Sequence, residues 1–360
     1  MTLHIFNPEH DLVLASAKAN FTAPHAGRQL RHDLAWLPSL WAQEGDTILV
    51  DDVGLSKSAL AKRHWLKQKQ VNFVCWKDLA QVSPDHITPW GWDAALRHRL
   101  LRGGLAEHLL PSSKQIDDIR QLSHRRTAMA LLQRLKADLP ATMGEQHECS
   151  TMEEVMAKAE GYEKVVLKAP WSSSGRGVRF STFGDLTANA ETNILGWLRN
   201  TLDRQGSVMV EPYYHKVRDF GMEFQCDEQG QVTFLGLSLF HTQNGAYTGN
   251  IIATENAKRR MMSHYLPDSL LEKAKEMICH HSSMLLGGKY QGPFGIDMMV
   301  CGNSSTLALH PCVEINLRRT MGHAALALAG MVNPQHDDDL QHVMRIDYEG
   351  NNYKLRLRKI

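Results

Sequence analysis

Oxygen-bearing side chains lie in two apolar segments between residues 294 and 316. Asp297 is in the first segment, FGIDMM, and Glu314 and Asn316 are in the second, EINLRR. Alternate side chains of a strand share a face, so Glu314 and Asn316 point the same way, and a hairpin places Asp297 opposite them. Two carboxylates and an amide suit Mg²⁺, which completes its shell with water and phosphate oxygens. The alternative is that they form the solvated face of a sheet.

A lysine at the end of a strand precedes a loop of small residues. Residues 165–178 read VVLKAPWSSSGRGV, so Lys168 ends the apolar run. A buried strand tolerates a lysine only when its charge has a partner. Small residues let backbone N–H groups approach an anion, and serine hydroxyls add donors. The spacing fits neither the Walker loop nor the dinucleotide fingerprint, so a plain Ser/Gly loop is the alternative to a phosphate lid.

A third strand ends in an acid and a proline, at Glu211 and Pro212, and Asp219 follows. Backbone groups released from pairing at that point could meet a purine edge, and Glu211 or Asp219 could hold ribose hydroxyls. The alternative is a turn at a sheet edge, where the proline stops pairing.

Composition and charge limit the classes of function. The chain has 360 residues, 43% of them hydrophobic, and 40 basic against 39 acidic side chains give a net charge of +1. We therefore expect neither nucleic acid nor an anionic membrane as a partner. No apolar run approaches ~18 residues, and the opening residues do not resemble a signal peptide, so we expect a cytoplasmic location. The oligomeric state cannot be read from the sequence.

The pattern of strands and helices predicts an α/β region followed by α+β regions. Short β-rich runs alternate with helical stretches from residue 3 to about 111, which indicates a small layer with a parallel sheet. A polar break near residue 112 marks a boundary. Residues 113–206 read as a compact α+β unit, and residues 207–360 read as antiparallel strands with a long helix and the hairpin that carries the triad.

Three features follow one another along the chain: the lysine with its Ser/Gly loop, the strand that ends in an acid and a proline, and the oxygen triad. Taken in this order, they resemble the ATP-grasp superfamily, and residues 113–330 look like its carboxylate–amine ligases. The resemblance implies an ATP-grasp fold, in which two α+β subdomains (113–206 and 207–360) clamp ATP, preceded by a small α/β pre-ATP-grasp domain (1–112). It implies ATP and two Mg²⁺ ions as cofactors, with Mn²⁺ as a substitute. It also implies that a small-molecule or peptide carboxylate becomes an acyl phosphate, which an amine attacks with release of ADP and phosphate.

The resemblance also implies site residues by position. Lys168 resembles the lysine that touches the α- and β-phosphates, and Arg125 or Arg126 stands where a second phosphate-binding cation occurs. Asp219 or Glu223 resembles the acid on the ribose. The closing loop matches Ser172, Ser173, Ser174, Gly175, Arg176 and Gly177. The adenine hinge matches Glu211, Pro212, Tyr213 and Tyr214. The metal triad matches Asp297, Glu314 and Asn316, with Glu314 bridging two ions.

The chain departs from the ligase pattern beside the triad. Gly295 stands where several relatives carry an arginine that steadies the tetrahedral intermediate. We hypothesise that Arg318 or Arg319 replaces that charge, because a guanidinium can bind a carboxylate or acyl phosphate through two hydrogen bonds. With Lys168, these are the predicted catalytic residues. A solvated arginine pair is the alternative.

Two further segments are candidates for substrate contacts. Asn7, Glu9, His10 and Asp11 follow the first strand, where open α/β sheets place their ligand crevice. Asn7 with its following proline is equally a helix start. Asn244, Tyr247 and Asn250 lie in a polar stretch between two strands, where a plain hairpin loop is the alternative.

Two other functions remain open at the level of sequence. The same clamp could pass phosphate to a hydroxyl, which would make the protein a kinase. A nucleotide-binding protein without turnover would be marked by a broken metal triad, and here the triad is complete. The identities of the carboxylate and the amine are not readable from the chain.

Overall fold

The computed structural model describes residues 1–63, 70–172, 177–187, 193–243, 246–303, 306–333 and 335–360. Within these ranges the chain forms four sheets of four strands each. None of the helices in these ranges is long and apolar enough to cross a membrane.

The first sheet is parallel, as the sequence predicts, and lies within residues 1–112. Its strands are ordered β3-β2-β1-β4. The strands are β1 (Thr2–Ile5), β2 (Thr47–Val50), β3 (Asn72–Cys75) and β4 (His86–Pro89); the helices are α1 (His10–Ser16), α2 (His25–Asp33), α3 (Val53–Ala61) and α4 (Ala94–Arg102), with 3₁₀ turns at Leu37–Leu40, Trp76–Gln81 and Glu107–Leu109.

The second sheet is antiparallel, with strand order β5-β8-β6-β7. A capping box between Ser112 and Gln115 begins the helix before it, and the side chain of His124 accepts a hydrogen bond from the backbone of Arg126 to begin the next. Polar side chains at these positions satisfy N–H groups that a helix start leaves free. The elements are α5 (Ser113–Leu122), α6 (Arg125–Asp138), β5 (His147–Cys149), α7 (Met152–Ala159), β6 (Val165–Lys168), β7 (Val178–Ser181), α8 (Phe183–Thr187), α9 (Asn193–Gln205) and β8 (Val208–Pro212).

The remaining residues build two antiparallel sheets, ordered β10-β9-β13-β14 and β11-β12-β15-β16. Their strands are β9 (Lys216–Cys226), β10 (Val232–Ser238), β11 (Phe240–Gln243), β12 (Ala246–Ile252), β13 (Gly292–Asn303), β14 (Thr306–Asn316), β15 (His342–Glu349) and β16 (Asn352–Lys359). Their helices are α10 (Glu255–Met262), α11 (Asp268–Leu286) and α12 (Met321–Val332).

The largest core lies on one face of the sheet that contains β13 and β14. Phe220, Phe224 and Phe294 pack there with Leu131 of α6 and Ile278 of α11, and all five are fully buried. Side chains alternate along a strand, so this arrangement leaves the opposite face for polar residues. The polar triad lies on that opposite face.

Two predicted boundaries do not follow the sheets and cores. Strand β8 pairs with β5 and β6, so the division predicted between residues 206 and 207 falls one strand too early. Helix α6, predicted in the middle unit, contributes Leu131 and Leu135 to the C-terminal core. Phe6 of the predicted 1–112 domain shares a core with Met344 and Leu355. Composition marks a linker, but it does not tell which surface a helix covers.

The packing of α6 can be tested by truncating one leucine. Leu131→Ala should lower the free energy of unfolding by about 2–5 kcal/mol, because it opens a cavity in the main core. Met284→Ala, which removes a side chain that is 54% exposed on α11, should change it by about 0.5 kcal/mol or less. Urea unfolding followed by circular dichroism measures both. Equal effects would show that α6 does not belong to the main core.

Candidate functional site

The hairpin of β13 and β14 brings the three predicted metal ligands together. Asp297 pairs directly with Glu314 in the register of the two strands, and Gly295 pairs with Asn316. The amide Nδ2 of Asn316 donates to Oδ2 of Asp297 over 3.2 Å. The three side chains therefore share one face of the sheet.

The electrostatics of this face suit a cation. Burial raises the pKa of Asp297 to about 8, and the carboxylates of Glu314 and Glu223 add to the effect. A divalent cation would offset this crowding of negative groups. Among the residues that the structure describes, no three His, Cys, Asp or Glu side chains form a metal cluster. The oxygen donors of Asp297, Glu314 and Asn316 are of the types that suit an ion sharing its shell with water or phosphate oxygens.

Arg318 lies beside the triad, and its guanidinium group already contacts two side chains, those of Asp11 and Asn316. Its Nε and Nη2 contact the carboxylate of Asp11 at 3.0 and 2.8 Å, and Nη2 also donates to Oδ1 of Asn316 over 2.9 Å. Although burial opposes it, the guanidinium of Arg318 holds the pKa of Asp11 below its usual value. Arg318 thus holds Asn316 and joins the triad to α1, and its contact with a substrate carboxylate stays a prediction.

Arg319 points away from the triad. Its guanidinium lies 4.7 Å from the ring centre of Trp41, and its backbone N–H donates to Trp90. Burial lowers the pKa of Arg319 to about 10. The structure does not bring Arg319 to the site, and neither arginine of the pair is solvated.

Lys168 has the buried partner that its position requires. Its Nζ lies 2.6 Å from Oε2 of Glu211, and both side chains are buried. Lys168 pairs with Met209 across β6 and β8, so Glu211 is its diagonal neighbour on the same face. The predicted phosphate lysine and the first predicted hinge residue thus form one ion pair.

Arg125, and not Arg126, reaches the triad. Its guanidinium donates to the carbonyl of Ala169 over 3.0 Å and to Oγ of Ser172 over 3.2 Å, and it lies 3.0 Å from Oε1 of Glu314. Arg126 is half exposed and pairs with Glu148. Arg125 therefore connects the start of the Ser/Gly loop to the predicted metal triad.

The two described ends of the Ser/Gly loop pack tightly against each other. A Cβ added to Gly177 would lie 2.4 Å from Oγ of Ser172, so only glycine fits there. Ser173, Ser174, Gly175 and Arg176 lie outside the described residues.

The predicted adenine hinge lies at the end of β8. Pro212 ends the strand, and the backbone N–H of Tyr213 donates to Lys164. The ring of Tyr214 lies edge-on to His310 at 5.8 Å between centroids. Burial raises the pKa of Tyr214.

The two candidates for the ribose acid are in different surroundings. Asp219 pairs with Lys216 and accepts from Thr242 near the open end of β9. Glu223 is only 3% exposed, and its carboxylate lies 2.9 Å from Nδ1 of His323. A Cβ on Gly295 would lie 2.6 Å from Oε2 of Glu223. Glu223 therefore fills the space above Gly295, and its contact with the ribose stays a prediction.

Most of the predicted substrate contacts are buried structural contacts. Asn7 and His10 both bond to Asp93, at 3.0 and 3.3 Å, and all three side chains are buried. Asn250 is 1% exposed and accepts from the hydroxyl of Tyr247. These four residues therefore have structural contacts, and their contact with substrate stays a prediction. Glu9 lines a cavity in the N-terminal domain, and Asp11 contacts Arg318. Asn244 is outside the described residues.

Two polar residues near the site carry no motif that the sequence analysis could use. His310 is fully buried on β14, and both of its ring nitrogens lack a hydrogen-bond partner. Burial lowers the pKa of His310 to about 3, and the charge of Lys168 adds to the effect. Gln146 donates to the carbonyls of Cys312 and Val313, just before Glu314. Spacing in the sequence could not place His310, because the register of β13 and β14 shifts between Glu314 and His310 and interrupts the alternation of side chains.

Comparison with known proteins supports the fold. No protein-family model matches the chain, and no curated protein sequence matches it. Among solved structures, N5-carboxyaminoimidazole synthetase from Staphylococcus aureus, complexed with ADP, has 13% identity and a TM-score of 0.51 over 97% of this chain and 83% of that one. Biotin carboxylase from Campylobacter jejuni has 14% identity and a TM-score of 0.52 over 98% and 77%.

A third similar structure is the biotin carboxylase domain of Hydrogenobacter thermophilus 2-oxoglutarate carboxylase. It has 12% identity and a TM-score of 0.55 over 96% of this chain and 74% of that one. These enzymes share the ATP-grasp architecture. The chain therefore has the ATP-grasp fold, and the prediction of this fold from the sequence is confirmed.

Mg²⁺ should stabilise the protein in a pH-dependent way. The folded-state pKa of Asp297, about 8, lies above the unfolded value of about 4. Its contribution to stability is therefore full below about pH 4 and is lost as the pH rises through about 8. Mg²⁺ requires the ionised form, so its affinity should rise from about pH 6 to about pH 8.5. Thermal unfolding with and without Mg²⁺ measures both trends.

Asp297→Asn should remove the Mg²⁺-induced shift in melting temperature, because an amide replaces the charged ligand. Asp203→Asn, at an exposed position of α9, makes the same chemical change away from the triad and should leave the shift intact. A shift that persists in Asp297→Asn would place the cation elsewhere.

Proposed function

We propose that this protein is an Mg-ATP-dependent ligase that joins a carboxylate to an amine through an acyl phosphate and releases ADP and phosphate. The observation that carries the proposal is the convergence of Asp297, Glu314 and Asn316 with Arg125 on one polar face. The buried pair of Lys168 and Glu211 lies on the facing sheet of an ATP-grasp fold. The similar synthetase from Staphylococcus aureus was solved with ADP, and the Hydrogenobacter enzyme with MgADP and bicarbonate, which supports the choice of nucleotide and ion.

The proposed roles need little covalent chemistry from the protein, because phosphoryl transfer depends mainly on alignment and charge neutralisation. Lys168 and Arg125 provide fixed positive charge for phosphate oxygens. Two bound Mg²⁺ ions, or Mn²⁺ in their place, would neutralise phosphate charge at the triad. Arg318 is a positioning residue, since it orients Asn316 and Asp11.

Water exclusion is assigned to the loop 172–177 on its sequence. An acyl phosphate hydrolyses unless the amine reaches it first, so a lid over the phosphates protects the intermediate. The contacts from Arg125 to Ser172 and Glu314 provide a direct connection between this loop and the triad.

The ligase reaction can be tested before the natural amine is known. Hydroxylamine replaces the amine, and a panel of dicarboxylates, amino acids and short peptides labelled with ¹⁸O in the carboxylate is screened for hydroxamate and ADP. The expected result is equimolar hydroxamate and ADP, with one ¹⁸O transferred to inorganic phosphate. Glu314→Gln should lose this activity, and Asp203→Asn should keep it. A stable phosphorylated hydroxyl, with unlabelled phosphate, would instead identify a kinase.

Arg318 and Arg319 should differ in their effect on turnover. Arg318→Lys removes the paired contact with Asp11, and we expect kcat/KM to fall by about 10²-fold, comparable to the loss of one preorganised donor. Asp11→Asn should cause a similar loss, and the double variant should lose little more, because both changes break one interaction. Arg319→Lys should lower the melting temperature with little effect on turnover. Equal losses from Arg318→Lys and Arg319→Lys would contradict these assignments.

A further inference from the structure

A cavity lies in the N-terminal domain, and the triad is not among the residues that line it. Its volume is about 590 Å³, within the range of small-molecule sites. Residues that follow three parallel strands line it: Glu9 after β1, Trp76 after β3 and Asp93 after β4.

The strand order explains why a crevice forms at this point. The chain passes from β1 to β2 and β3 on one side, and then returns to place β4 on the other side of β1. The direction in which strands are added therefore reverses after β3, between β1 and β4 of the sheet. Open α/β sheets bind ligands at such a switch point, outside the carboxyl ends of the strands.

Four arginines, two from α2 and two from α4, line the cavity. Arg31 pairs with Glu9 and with Asp51, and Arg99 lies 3.6 Å from Asp51 with its guanidinium 3.5 Å from the ring centre of Trp76. The remaining two arginines are Arg28 and Arg102. Both are exposed, and across the described ranges neither has a carboxylate within 4.0 Å. Two guanidinium groups are thus available to an anion at one cavity.

The two acidic residues that line the cavity, Asp93 and Glu9, differ in their hydrogen bonding. Asp93 is satisfied, because it accepts from Asn7 and from the backbone N–H of Leu96. Glu9 is 9% exposed, and its Oε2 is buried without a hydrogen-bond partner. An unpaired buried oxygen of this kind is costly unless a ligand supplies a hydrogen bond.

We propose that this cavity is a binding site for a small anion that carries hydroxyl or ammonium groups. Arg28 and Arg102 bind its phosphate or carboxylate group, and Oε2 of Glu9 accepts from its hydroxyl or ammonium. The site is separate from the triad: Glu9 faces the cavity, whereas Asp11, two residues later, faces Arg318. The inference does not depend on the proposed ligase activity.

The site is tested by calorimetry on the full chain without nucleotide. The probes are glycerol 3-phosphate and citrate, with glycerol as the neutral control at matched ionic strength. Binding of either charged probe, but not glycerol, supports the site, and the stronger probe identifies phosphate or carboxylate as the preferred anion. Failure of both probes to bind would overturn the proposal.

Variants locate the binding. The double variant Arg28→Ala/Arg102→Ala should lower the affinity for the probe by at least ~10-fold. Both positions are exposed, and thermal unfolding checks that the variant is folded. Arg204→Ala, at an exposed arginine of α9, and Glu314→Gln at the triad should bind normally. Binding that survives in the double variant, or that is lost in Glu314→Gln alone, would contradict the assignment.

The role of Glu9 has its own readout. Wild-type protein should bind glycerol 3-phosphate more tightly than inorganic phosphate, because only the former supplies hydroxyl groups to Oε2. Glu9→Gln should remove this preference while keeping affinity for inorganic phosphate. An unchanged preference would show that Glu9 does not contact the ligand.

Discussion

The contacts among the sheet of β9, β13 and β14, the loop after β6 and helix α1 depend on the balance of charge on one face of that sheet. Asp297, Glu314 and Glu223 place three carboxylates on the polar face of β9, β13 and β14, whereas the opposite face is apolar. Arg125 and Arg318 offset part of this charge, and each belongs to a second contact outside the sheet. Arg125 reaches the loop after β6, and Arg318 reaches α1. The need to compensate buried carboxylates thus sets how the loop and the N-terminal domain meet the sheet.

Local periodicity was enough to predict that Asp297, Glu314 and Asn316 come together, because the alternation of residues on two neighbouring strands determines which side chains share a face. The same reasoning does not distinguish Arg318 from Arg319 or Arg125 from Arg126. Adjacent residues point in different directions, and the direction that matters depends on distant partners. Asp11 lies 307 residues before Arg318 in the chain, so no short motif could indicate that contact.

Several candidate site residues have buried partners that the sequence does not reveal. Glu223 is a candidate for the ribose acid, and its carboxylate contacts His323 in the first turn of α12. Asn7 and His10 are candidates for substrate contacts, and both bond to Asp93. A polar residue near a strand end fits a binding site and a buried hydrogen-bond network equally well, until the partner from another element is known.

The shared core between the first and last sheets constrains how the chain folds during synthesis. Phe6 and Trp36 pack against Met344 and Leu355, and the backbone N–H of Tyr353 donates to Asp33 at the end of α2. On the ribosome, the aromatic surface around Trp36 therefore stays uncovered until more than three hundred further residues have been made. The first sheet is synthesised early, but the residues that cover the surface around Trp36 are synthesised late. Chaperone contact during translation is therefore expected to concentrate on this surface.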